Sequence, residues 1–565
     1  MATDPLAKRN EARDLWREHW YGPHGRFSSA WRSALDKDPM LAETRMCIDM
    51  IFGWGERVRV ATQMVSCVKS TGEVVVYEPA LIEEPQIDHQ YALGSGASSA
   101  RAFAITVGQE KLDAWGIINS GRFLAGWAEV SLIAPDMAYE DRYVLMRGDM
   151  TGGCRFGALN QSLETEIVDP KETSDIGITP FVIDVALFPD AADASIGQRY
   201  PLIPDKFDGV PALRLDGLTA NTFMVGWGHN ISVTKVFVDG VAKLSASLSY
   251  PWSVSQVAGV DGIPYTSVVF GSGTGVWEDA TTVYVNVSPF SGRPPRGVVD
   301  VIRYLVTDWS LLGPSGANQE LFALAQSKIQ PTAIANVLIN GSGESDATTA
   351  LNYIESTLCG SFPMISMCWQ GGGYGPIVTD RRGTPIKARL VVGQYPLVDR
   401  ISAYEETPKT ALFNRFTVRY GYDPINDVYA GVAQRNPESS LLCAISDEQV
   451  GPREMAPLES VLVASEATAV YIIDWLVSHF SLPSYYVEYE GYSNLFLILN
   501  LGDNVRIFDP DIGKELTATV EVLRYTRGKV EVGLRIWALY EDLGGGATSG
   551  TGGGDSPSQS GVAQP

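Results

Sequence analysis

The side chains that could ligate a metal ion are spaced in this chain in a way that does not favour a metal site. The five histidines are His19, His24, His89, His229 and His479. The closest pair in sequence, His19 and His24, is separated by the helix-breaking pair Gly22-Pro23, and no H-E-x-x-H motif occurs. We therefore expect no metal site.

The cysteines give no sign of redox or zinc chemistry. They are Cys47, Cys67, Cys154, Cys359, Cys368 and Cys443. None forms a C-x-x-C pair, and none stands at zinc-finger spacing beside a histidine. This usage is typical of a chain that folds in a reducing cytosol, where thiols serve as small buried apolar groups. We expect these cysteines to be free and buried.

Motifs for nucleophilic catalysis and phosphate binding are missing. The chain has no G-x-S-x-G element of the esterase type. The run Gly371-Gly-Gly-Tyr-Gly375 lacks the Gly-Lys-Ser/Thr of a phosphate loop, and the pair Gly513-Lys514 is followed by Glu515. We interpret the glycine run as a loop or hairpin turn.

Carboxylates are abundant, so a glycosidase pair stays open at this point. Glu83-Glu84, Asp169 and Glu172 are examples among 66 acidic residues. Such chemistry needs two acids in one cleft, with the pKa of one raised, and a coincidental pair is expected at this frequency. We predict no catalytic residue, no cofactor and no enzymatic activity.

Composition and charge bound the function. The 565 residues are 45% hydrophobic and 10% aromatic, which predicts several folded domains and excludes wholesale disorder. With 43 basic and 66 acidic residues the net charge is −23, which disfavours sequence-specific binding or packaging of DNA. A channel wall past which DNA slides is compatible with this charge, and so is a purely solubilising role.

Targeting and membrane signals are also missing. The longest apolar run, Leu495–Leu501, is far shorter than a membrane span. The charged segment Met1–Arg13 has no apolar core of the kind a signal peptide needs. We expect a chain made and assembled in a cytoplasm.

The first 204 residues predict a helical arm followed by a β block. Residues 1–50 read as the arm, with Asp4-Pro5 starting one helix and a second helix over Ser28–Leu35. From Glu56 the hydrophobic period becomes two, and short strands alternate with turns over residues 51–204. The strands that follow the first one are predicted at Val74–Tyr77, Ala102–Val107, Ala128–Ile133 and Tyr143–Arg147. This pattern is typical of a barrel or sandwich.

Two further blocks follow. Residues 205–297 are β-rich, with a hairpin turn predicted at Asp239-Gly240. Their strands are predicted at Thr222–Trp227, Thr234–Val238, Ser267–Phe270 and Thr282–Val287. Residues 298–410 read as a small α+β domain. Its helices are predicted at Val298–Trp309, at Gln319–Ile329 and between a Ser345 cap and a stop at Gly360, and its strands near Ile365–Trp369 and Ala388–Val392.

The last folded block, residues 411–543, is again mainly β. It is predicted to contain an alternating strand at Phe416–Tyr420, a helix capped by Ser465 that ends before Pro483, strands at Asn494–Leu499 and Asn504–Phe508, and a hairpin of Leu516–Tyr525 with Val530–Trp537. In that hairpin, Ala518, Val520 and Val522 are assigned to one face, as are Val532, Leu534 and Ile536. Gly533 is expected to mark a close backbone approach or a bulge. Residues 544–565 are a flexible Gly/Ser-rich tail.

The order of these features resembles the hub proteins of phage tails. The run Asn500–Phe508, with its Gly-Asp-x-Val-x-Ile pattern, and the closing hairpin are similar to the last hub barrel. The segment Asn414–Tyr420 with Asp423-Pro424 resembles the strand that opens that barrel. The helix Val298–Trp309 and the capped helix at 345–358 are similar to the middle domain. Phe103–Val107, Trp127–Leu132 and Asp141–Gly148 look like the first barrel.

The resemblance covers about residues 55–200 and 298–540 and implies a specific architecture. The fold class is mainly β with α+β: two hub-type β-barrels flank a β-rich insertion and a small α+β domain. The arm at 1–50 and the insertion at 205–297 depart from the family pattern. The resemblance further implies a homotrimeric ring at the virion tail tip, around the channel through which DNA leaves.

The implied partners are the distal tail protein ring, the C-terminus of the tape-measure protein, and other tail-tip or fibre proteins, with the host surface contacted indirectly. Two alternatives stay open. One is a receptor- or carbohydrate-binding tail component, because Trp227, Trp252 and Trp277 of the insertion could stack on sugar rings or fill small cores. The other is a tail-borne cell-wall hydrolase.

Overall fold

The computed structural model describes residues 44–537 apart from 53–56, 92–97, 101–102, 109–125, 135, 151–153, 158–161, 169–174, 176, 179–180, 205, 217–220, 229–230, 244, 246–250, 259–262, 272–281, 290–296, 330, 332–334, 336, 340–348, 381–385, 394–397, 493–495, 498 and 527–528. The two predicted arm helices and the predicted tail lie outside these residues. Strands predominate and helices are fewer, which confirms the mainly β class with some α+β structure. None of the described helices has the length and apolar character that a membrane crossing requires.

Backbone pairing closes the first block into a barrel. Its strands are β1 (Arg45–Ile51), β2 (Arg57–Ala61), β3 (Val65–Val68), β4 (Val74–Pro79), β5 (Ile87–Tyr91), β6 (Ser98–Ala100), β7 (Phe103–Gly108), β8 (Trp127–Ile133), β9 (Tyr143–Asp149), β10 (Cys154–Gly157) and β11 (Ser162–Ile167). They form one sheet in the order β3-β4-β2-β1-β8-β9 and another in the order β10-β11-β7.

Isolated contacts join these two sheets at both ends. Asp149 and Val168 exchange two backbone hydrogen bonds of 2.9 Å, which connects β9 to the end of β11. The N–H of Leu81 donates to Ala61 (3.1 Å), and Leu81 also bridges to Val107 of β7. The ring therefore runs from β1 through β2, residues 80–82, β7, β11, β9 and β8 back to β1, while β3 and β10 each pair with one strand only among the described residues.

Strand β1 corrects the predicted boundary of the arm at residue 50. It is extended from Arg45, and its residues Cys47, Ile48 and Met50 are buried. The strand lies between β2 and β8 and is covered on both faces, so its sequence does not alternate between apolar and polar residues. The alternation of apolar and polar residues that predicted β2 is therefore missing in β1.

The insertion is a sandwich of two antiparallel four-stranded sheets. Its strands are β12 (Phe207–Pro211), β13 (Leu213–Arg214), β14 (Thr222–Trp227), β15 (Ile231–Val238), β16 (Val241–Lys243), β17 (Trp252–Ala258), β18 (Pro264–Phe270) and β19 (Val283–Pro289). The sheet orders are β12-β19-β15-β16 and β13-β14-β18-β17, and both contribute to one apolar core. Asp239 and Gly240 have φ of 47° and 75° and connect β15 to β16, so the predicted hairpin turn is confirmed.

Helices return in the middle block. They are α1 (Val298–Asp308), α2 (Gly313–Gly316), α3 (Gln319–Lys328) and a helical segment made of Ala350–Asn352, the π-helix Tyr353–Leu358 and Cys359–Ser361. The first and third agree with prediction, but the expected stop at Gly360 is wrong. The segment continues through Ser361 and ends at Phe362, because Pro363 disfavours helical backbone in the residue before it. Ser345 lies outside the described residues; the carboxylate of Asp175 accepts the N–H of Leu351 (2.8 Å) at this helix start.

The remaining strands form a hairpin, a large sheet and a small sheet. They are β20 (Ile365–Gln370), β21 (Gly373–Val378), β22 (Ile386–Val391), β23 (Val398–Arg400), β24 (Glu405–Glu406), β25 (Phe416–Asp423), β26 (Val428–Arg435), β27 (Leu458–Glu459), β28 (Tyr485–Tyr492), β29 (Asn504–Asp509), β30 (Lys514–Thr526) and β31 (Lys529–Ile536). The helices here are α4 (Leu441–Val450) and α5 (Glu466–Phe480), and Ser465 caps α5 by accepting the N–H of Thr468, as predicted.

The large sheet draws strands from three sequence blocks. Its order is β22-β29-β30-β31-β28-β23, and β5 of the first block pairs with β30. The two edges approach each other, because the N–H of Gly393, just after β22, donates to Val398 of β23 (2.8 Å). The sheet thus curls toward a second barrel. Strand β5 precedes the predicted boundary at residue 204 and β22 precedes the one at residue 410, yet both pair with strands of the last block. The division of the chain into six parts stays a prediction.

The final hairpin is confirmed with one correction. The register shifts between Val520 and Val522, so that a bulge lies at Glu521 opposite Gly533. Val522 consequently leaves the buried face, and Leu523 and Tyr525 continue it. Gly533 lies opposite this bulge, which is one of the two predicted alternatives, and a Cβ there would clash with the hydroxyl of Tyr486.

One predicted strand of this block is wrong. The segment Asn494–Leu499 is not extended where it is described, since Phe496 and Leu497 lie in a helical turn and a turn, respectively. Both side chains are nonetheless fully buried. A short apolar run signals burial but does not distinguish between strand and helix.

Candidate functional site

The described histidines lie apart and are buried. His89 on β5 meets the ring of Tyr525 edge-on at 5.8 Å between centroids, and burial lowers the pKa of His89 to about 4. His479 on α5 stacks on Trp475 at 4.1 Å. His19, His24 and His229 lie outside the described residues. Within the described part of the chain, no three His, Cys, Asp or Glu side chains are grouped as metal ligands.

The acidic candidates do not come together as a catalytic pair where they are described. Glu84 is half-buried and accepts a hydrogen bond from Thr62 (3.4 Å), and burial raises the pKa of Glu84. Its neighbour Glu83 is exposed. Asp169 and Glu172 lie outside the described residues. The geometry therefore offers no observation that favours glycoside hydrolysis.

Five of the six cysteines are buried thiols that form no disulfide, as predicted. They are Cys47, Cys67, Cys359, Cys368 and Cys443. Burial raises the pKa of the Cys47 and Cys359 thiols, which keeps them protonated and unreactive. The backbone of Cys154 lies in β10, and its side chain is outside the described set.

The glycine-rich run Gly371–Gly375 contains a hairpin turn, which was predicted alongside a loop. Gly371 and Gly372 have φ of 59° and 76° and connect β20 to β21. Side chains at 373 and 375 would press on Asn318 and Leu321 at the start of α3. The run thus allows a tight turn and close packing of a hairpin on a helix, and it is not a phosphate site.

The described tryptophans of the insertion pack against other side chains of the molecule. Trp227 meets Trp309, the residue that follows α1, edge-on at 5.1 Å between ring centroids. The indole N–H of Trp252 donates to the carbonyl of Lys243 (3.0 Å), and its ring packs against the sandwich core. Trp277 lies outside the described residues. Trp227 and Trp252 therefore serve packing, and neither forms an open stacking platform for a sugar.

The Gly-Asp-x-Val motif of the hub resemblance forms a buried joint. Gly502 has φ of 76°, and a Cβ there would clash with Ile377 of β21. Asp503 is buried and accepts the N–H of Asn500 (2.9 Å). The ammonium of Lys328 on α3 donates to the carbonyl of Gly502 (3.0 Å) and lies 3.5 Å from Asp503. The motif therefore connects the last barrel to the middle block.

A ladder of charges crosses four strands of the first barrel. Arg59, Asp49, Glu129 and Arg147 occupy directly opposed positions on β2, β1, β8 and β9. Arg59 pairs with Asp49 at 2.8 Å, and Arg147 pairs with Glu129 at 2.6 Å. The two carboxylates are buried side by side, and Arg142 adds a second cation to Glu129. Because each buried carboxylate is paired with arginine, we interpret the ladder as a structural element of the barrel.

A second buried carboxylate anchors the turn after β29. Asp509 accepts hydrogen bonds from Tyr404 (2.5 Å) and pairs with Arg400 (2.9 Å), which also pairs with Asp511. Burial raises the pKa of both Tyr404 and Tyr489, which keeps the phenols as donors. The turn that begins at Asp509 is thus fixed by the side chains of Arg400 and Tyr404 from the preceding block.

An open cleft of about 500 Å³ separates the insertion from the β25–β26 hairpin. Its walls include Asp208, Asn286, Asp423 and Ile425. The side-chain oxygen of Asn286 accepts a hydrogen bond from the N–H of Gly209 (3.0 Å). A carboxylate oxygen of Asp423 accepts one from the N–H of Ile425 (2.9 Å). The cleft lies between two packed parts of the molecule, and the side chains named here do not converge as a catalytic group would.

Comparison with known proteins gives structural likenesses alone. No family model and no curated protein matches the chain. A tail protein from Neisseria meningitidis MC58 is 11% identical, with 87% of this chain and 96% of that chain covered and a TM-score of 0.37. The prophage tail protein gp18 from Listeria monocytogenes EGD-e is 7% identical, with coverages of 88% and 97% and a TM-score of 0.31.

A third match is the 43 kDa tail protein of prophage MuSo2 from Shewanella oneidensis, which is 10% identical, with coverages of 56% and 95% and a TM-score of 0.25. All three are tail proteins, two of them from prophages, and the sequence resembles proteins of the phage tail.

Proposed function

We propose that this chain is a structural protein of a phage tail and forms the hub ring at the tail tip. The observation that carries the proposal is the presence of two barrel-like sheets in one chain. The first is closed by backbone pairing, and the second curls until Gly393 reaches Val398. The Gly502-Asp503 motif of the hub resemblance directly precedes β29 of the second sheet and is connected to the middle block by Lys328.

Two barrels per chain suit a ring that ends a six-fold tube. Three copies supply six barrels, so a homotrimer has the pseudo-six-fold symmetry of its neighbour along the tail. The barrels share strands and a continuous core with the middle block, which would hold them at a constant spacing. Such a ring would contact the distal tail protein ring, the end of the tape-measure protein, and tip or fibre proteins.

The charge of the chain suits a channel for DNA. A net charge of −23 disfavours adhesion of a polyanion to the channel wall during ejection. No catalytic step is required for this role. The proposed location is the tip of the virion tail, after assembly in the host cytoplasm.

Electron microscopy of tail particles from a phage encoding this chain tests the proposal. We expect three copies in a ring at the distal end of the tube, identified by an antibody or a fused label on this chain. A label elsewhere on the virion, or two or six copies in the particle, would contradict the proposal. Cell-wall clearing by the purified chain would contradict its purely structural character.

A further inference from the structure

Strands β5 and β6 connect the first block of the sequence to the second barrel, and His89 is buried at their centre. β5 pairs with β30 of the last block over Ile87–Gln90 and Val522–Tyr525. Among the described residues, β6 pairs with β5 alone. We propose that these two strands, here called the β5–β6 joint, are an acid-sensitive device. The joint is closed against β20 and β30 while His89 is neutral, and it opens locally when His89 takes up a proton.

The imidazole of His89 is enclosed by groups that do not stabilise a positive charge. His89 is 2% exposed, and neither of its ring nitrogens has a hydrogen-bond partner among the described residues. The ring of Tyr525 meets the imidazole edge-on, and the backbones of Trp369 on β20 and Leu145 on β9 lie against it. A buried charge without a paired counter-ion costs far more than a buried neutral polar group, so this site favours the neutral imidazole.

The charged groups around His89 do not supply the missing counter-ion. The carboxylate of Asp88, the neighbour of His89 on β5, favours the protonated imidazole but is already paired with Arg524 of β30 at 2.9 Å. β6 contains no titratable residue. The other titratable side chains on the adjoining strands are Tyr525 of β30, Cys368 of β20, and Tyr143, Arg147 and Asp149 of β9. Arg147 is paired with Glu129.

Other polar groups at the same contact are also buried without partners. β20 packs against both β5 and β6. In this contact the hydroxyl of Tyr91, the indole N–H of Trp369 and the side-chain oxygen of Gln370 have no hydrogen-bond partner among the described residues. Each of these groups would gain hydrogen bonds to water if the joint opened, which disfavours the closed state.

The backbone pairing that opposes opening is short. Four residue pairs connect β5 to β30, and no other described strand besides β6 pairs with β5. The central strand β1 of the first barrel, in contrast, is paired with β2 on one side and with β8 along its whole length on the other. We therefore expect the joint to open as a local unit before either barrel unfolds.

Opening transfers His89 into water, and this fixes the direction and size of the response to pH. Burial lowers the pKa of His89 from 6.5 to about 4 in the closed joint. Because the closed form binds the proton more weakly, opening is increasingly favoured as the pH falls below 6.5, and the effect is complete below about 4. Between pH 7.5 and pH 4.5 the opening equilibrium should shift by about 70-fold.

Amide hydrogen exchange of the full-length protein tests the proposal. Wild type and His89→Gln are compared with each other at pH 7.5 and again at pH 4.5, because the chemical exchange rate and the titration of the carboxylates are then common to both proteins. Relative to the variant, wild type should lose about 70-fold of the protection of its β5 and β6 amides at pH 4.5. The amides of β1 and β8 should show no such difference. His89→Phe is a second variant without a titratable group, in case glutamine prevents folding.

His479→Gln is the matched control. His479 is the second buried histidine among the described residues, but its Nδ1 lies 2.9 Å from both the Ser478 hydroxyl and the Trp475 carbonyl. This variant should retain the acid response of β5 and β6. An equal loss of protection in wild type and in both His89 variants would overturn the proposal, and so would a loss that extends evenly over both barrels. The test does not depend on the proposed hub role, which microscopy of tail particles decides separately.

Discussion

At the scale of single residues, Leu534 illustrates what the second barrel requires. The side chain is completely buried on β31, opposite Val487 on one side and Val520 on the other. Replacement by aspartate places an unpaired carboxylate in this core, so Leu534→Asp should lower the free energy of unfolding by several kcal/mol. Leu311→Asp is the matched control, because Leu311 is 66% exposed. Urea unfolding of both variants measures the difference, and equal stability would mean that the buried face is wrongly assigned.

Alanine substitutions at Gly502 and Gly513 distinguish the cost of backbone strain from the cost of a steric clash. Both have positive φ, 76° and 71°, but a Cβ at 513 meets nothing and one at 502 meets Ile377. Gly513→Ala should therefore cost about 1 kcal/mol, and Gly502→Ala about 1–3 kcal/mol more. Thermal or chemical unfolding of the pair measures this. An equal cost would mean that the motif glycine is needed for its backbone conformation alone.

Burial of His89 should make the fold sensitive to acid. Burial lowers the pKa of His89 from 6.5 to about 4, so the unfolded chain binds this proton more tightly than the folded chain. Stability from this residue is complete above pH 6.5 and is lost as the pH falls towards 4, by roughly 3 kcal/mol.

Comparison of wild type with His89→Gln isolates this contribution from that of the many carboxylates. The difference in unfolding free energy between the two proteins should change between pH 7.5 and 4.5, in favour of the variant at acid pH. A difference that is independent of pH would show that His89 is not the group responsible.

At the scale of elements, Asn318 connects a helix to a hairpin. Its side-chain oxygen accepts the N–H groups of Glu320 and Leu321 at the start of α3, while its amide donates to the carbonyl of Gln370 (2.6 Å). Asn318→Ser keeps a helix cap and removes the contact with the hairpin, whereas Asn318→Ala removes both. We expect the alanine variant to be about 1 kcal/mol less stable than the serine variant. Melting curves that do not separate the two variants would contradict a capping role.

At the scale of the whole molecule, the C-terminal tail is predicted to be dispensable for folding. Residues 544–565 contain eight glycines, four serines and one large apolar residue, Val562. Ordering them would cost about 1–2 kcal/mol per residue with little burial in return. Truncation after Leu543 should therefore leave the melting temperature and ring formation unchanged. A fall of several degrees would mean that the segment packs on the body.

Local sequence signals were sufficient where an element is stabilised by its own residues. The Asp239-Gly240 turn, the helix from Val298 and the capped helix after Ser465 all follow from backbone preferences and apolar periodicity over a few residues. The fold class and the close approach at Gly533 could be predicted on the same grounds.

Only the tertiary structure decided the features that depend on distant partners. Strand β1 is covered on both faces and therefore shows no alternation, and the bulge at Glu521 moves Val522 off the face that strict alternation assigns to it. β5 joins a sheet more than 400 residues away, where Arg524 meets Asp88. The exposure of Val74 on β4 and Val428 on β26 is equally non-local, because valines alternate along many strands and only packing shows which ones stay uncovered.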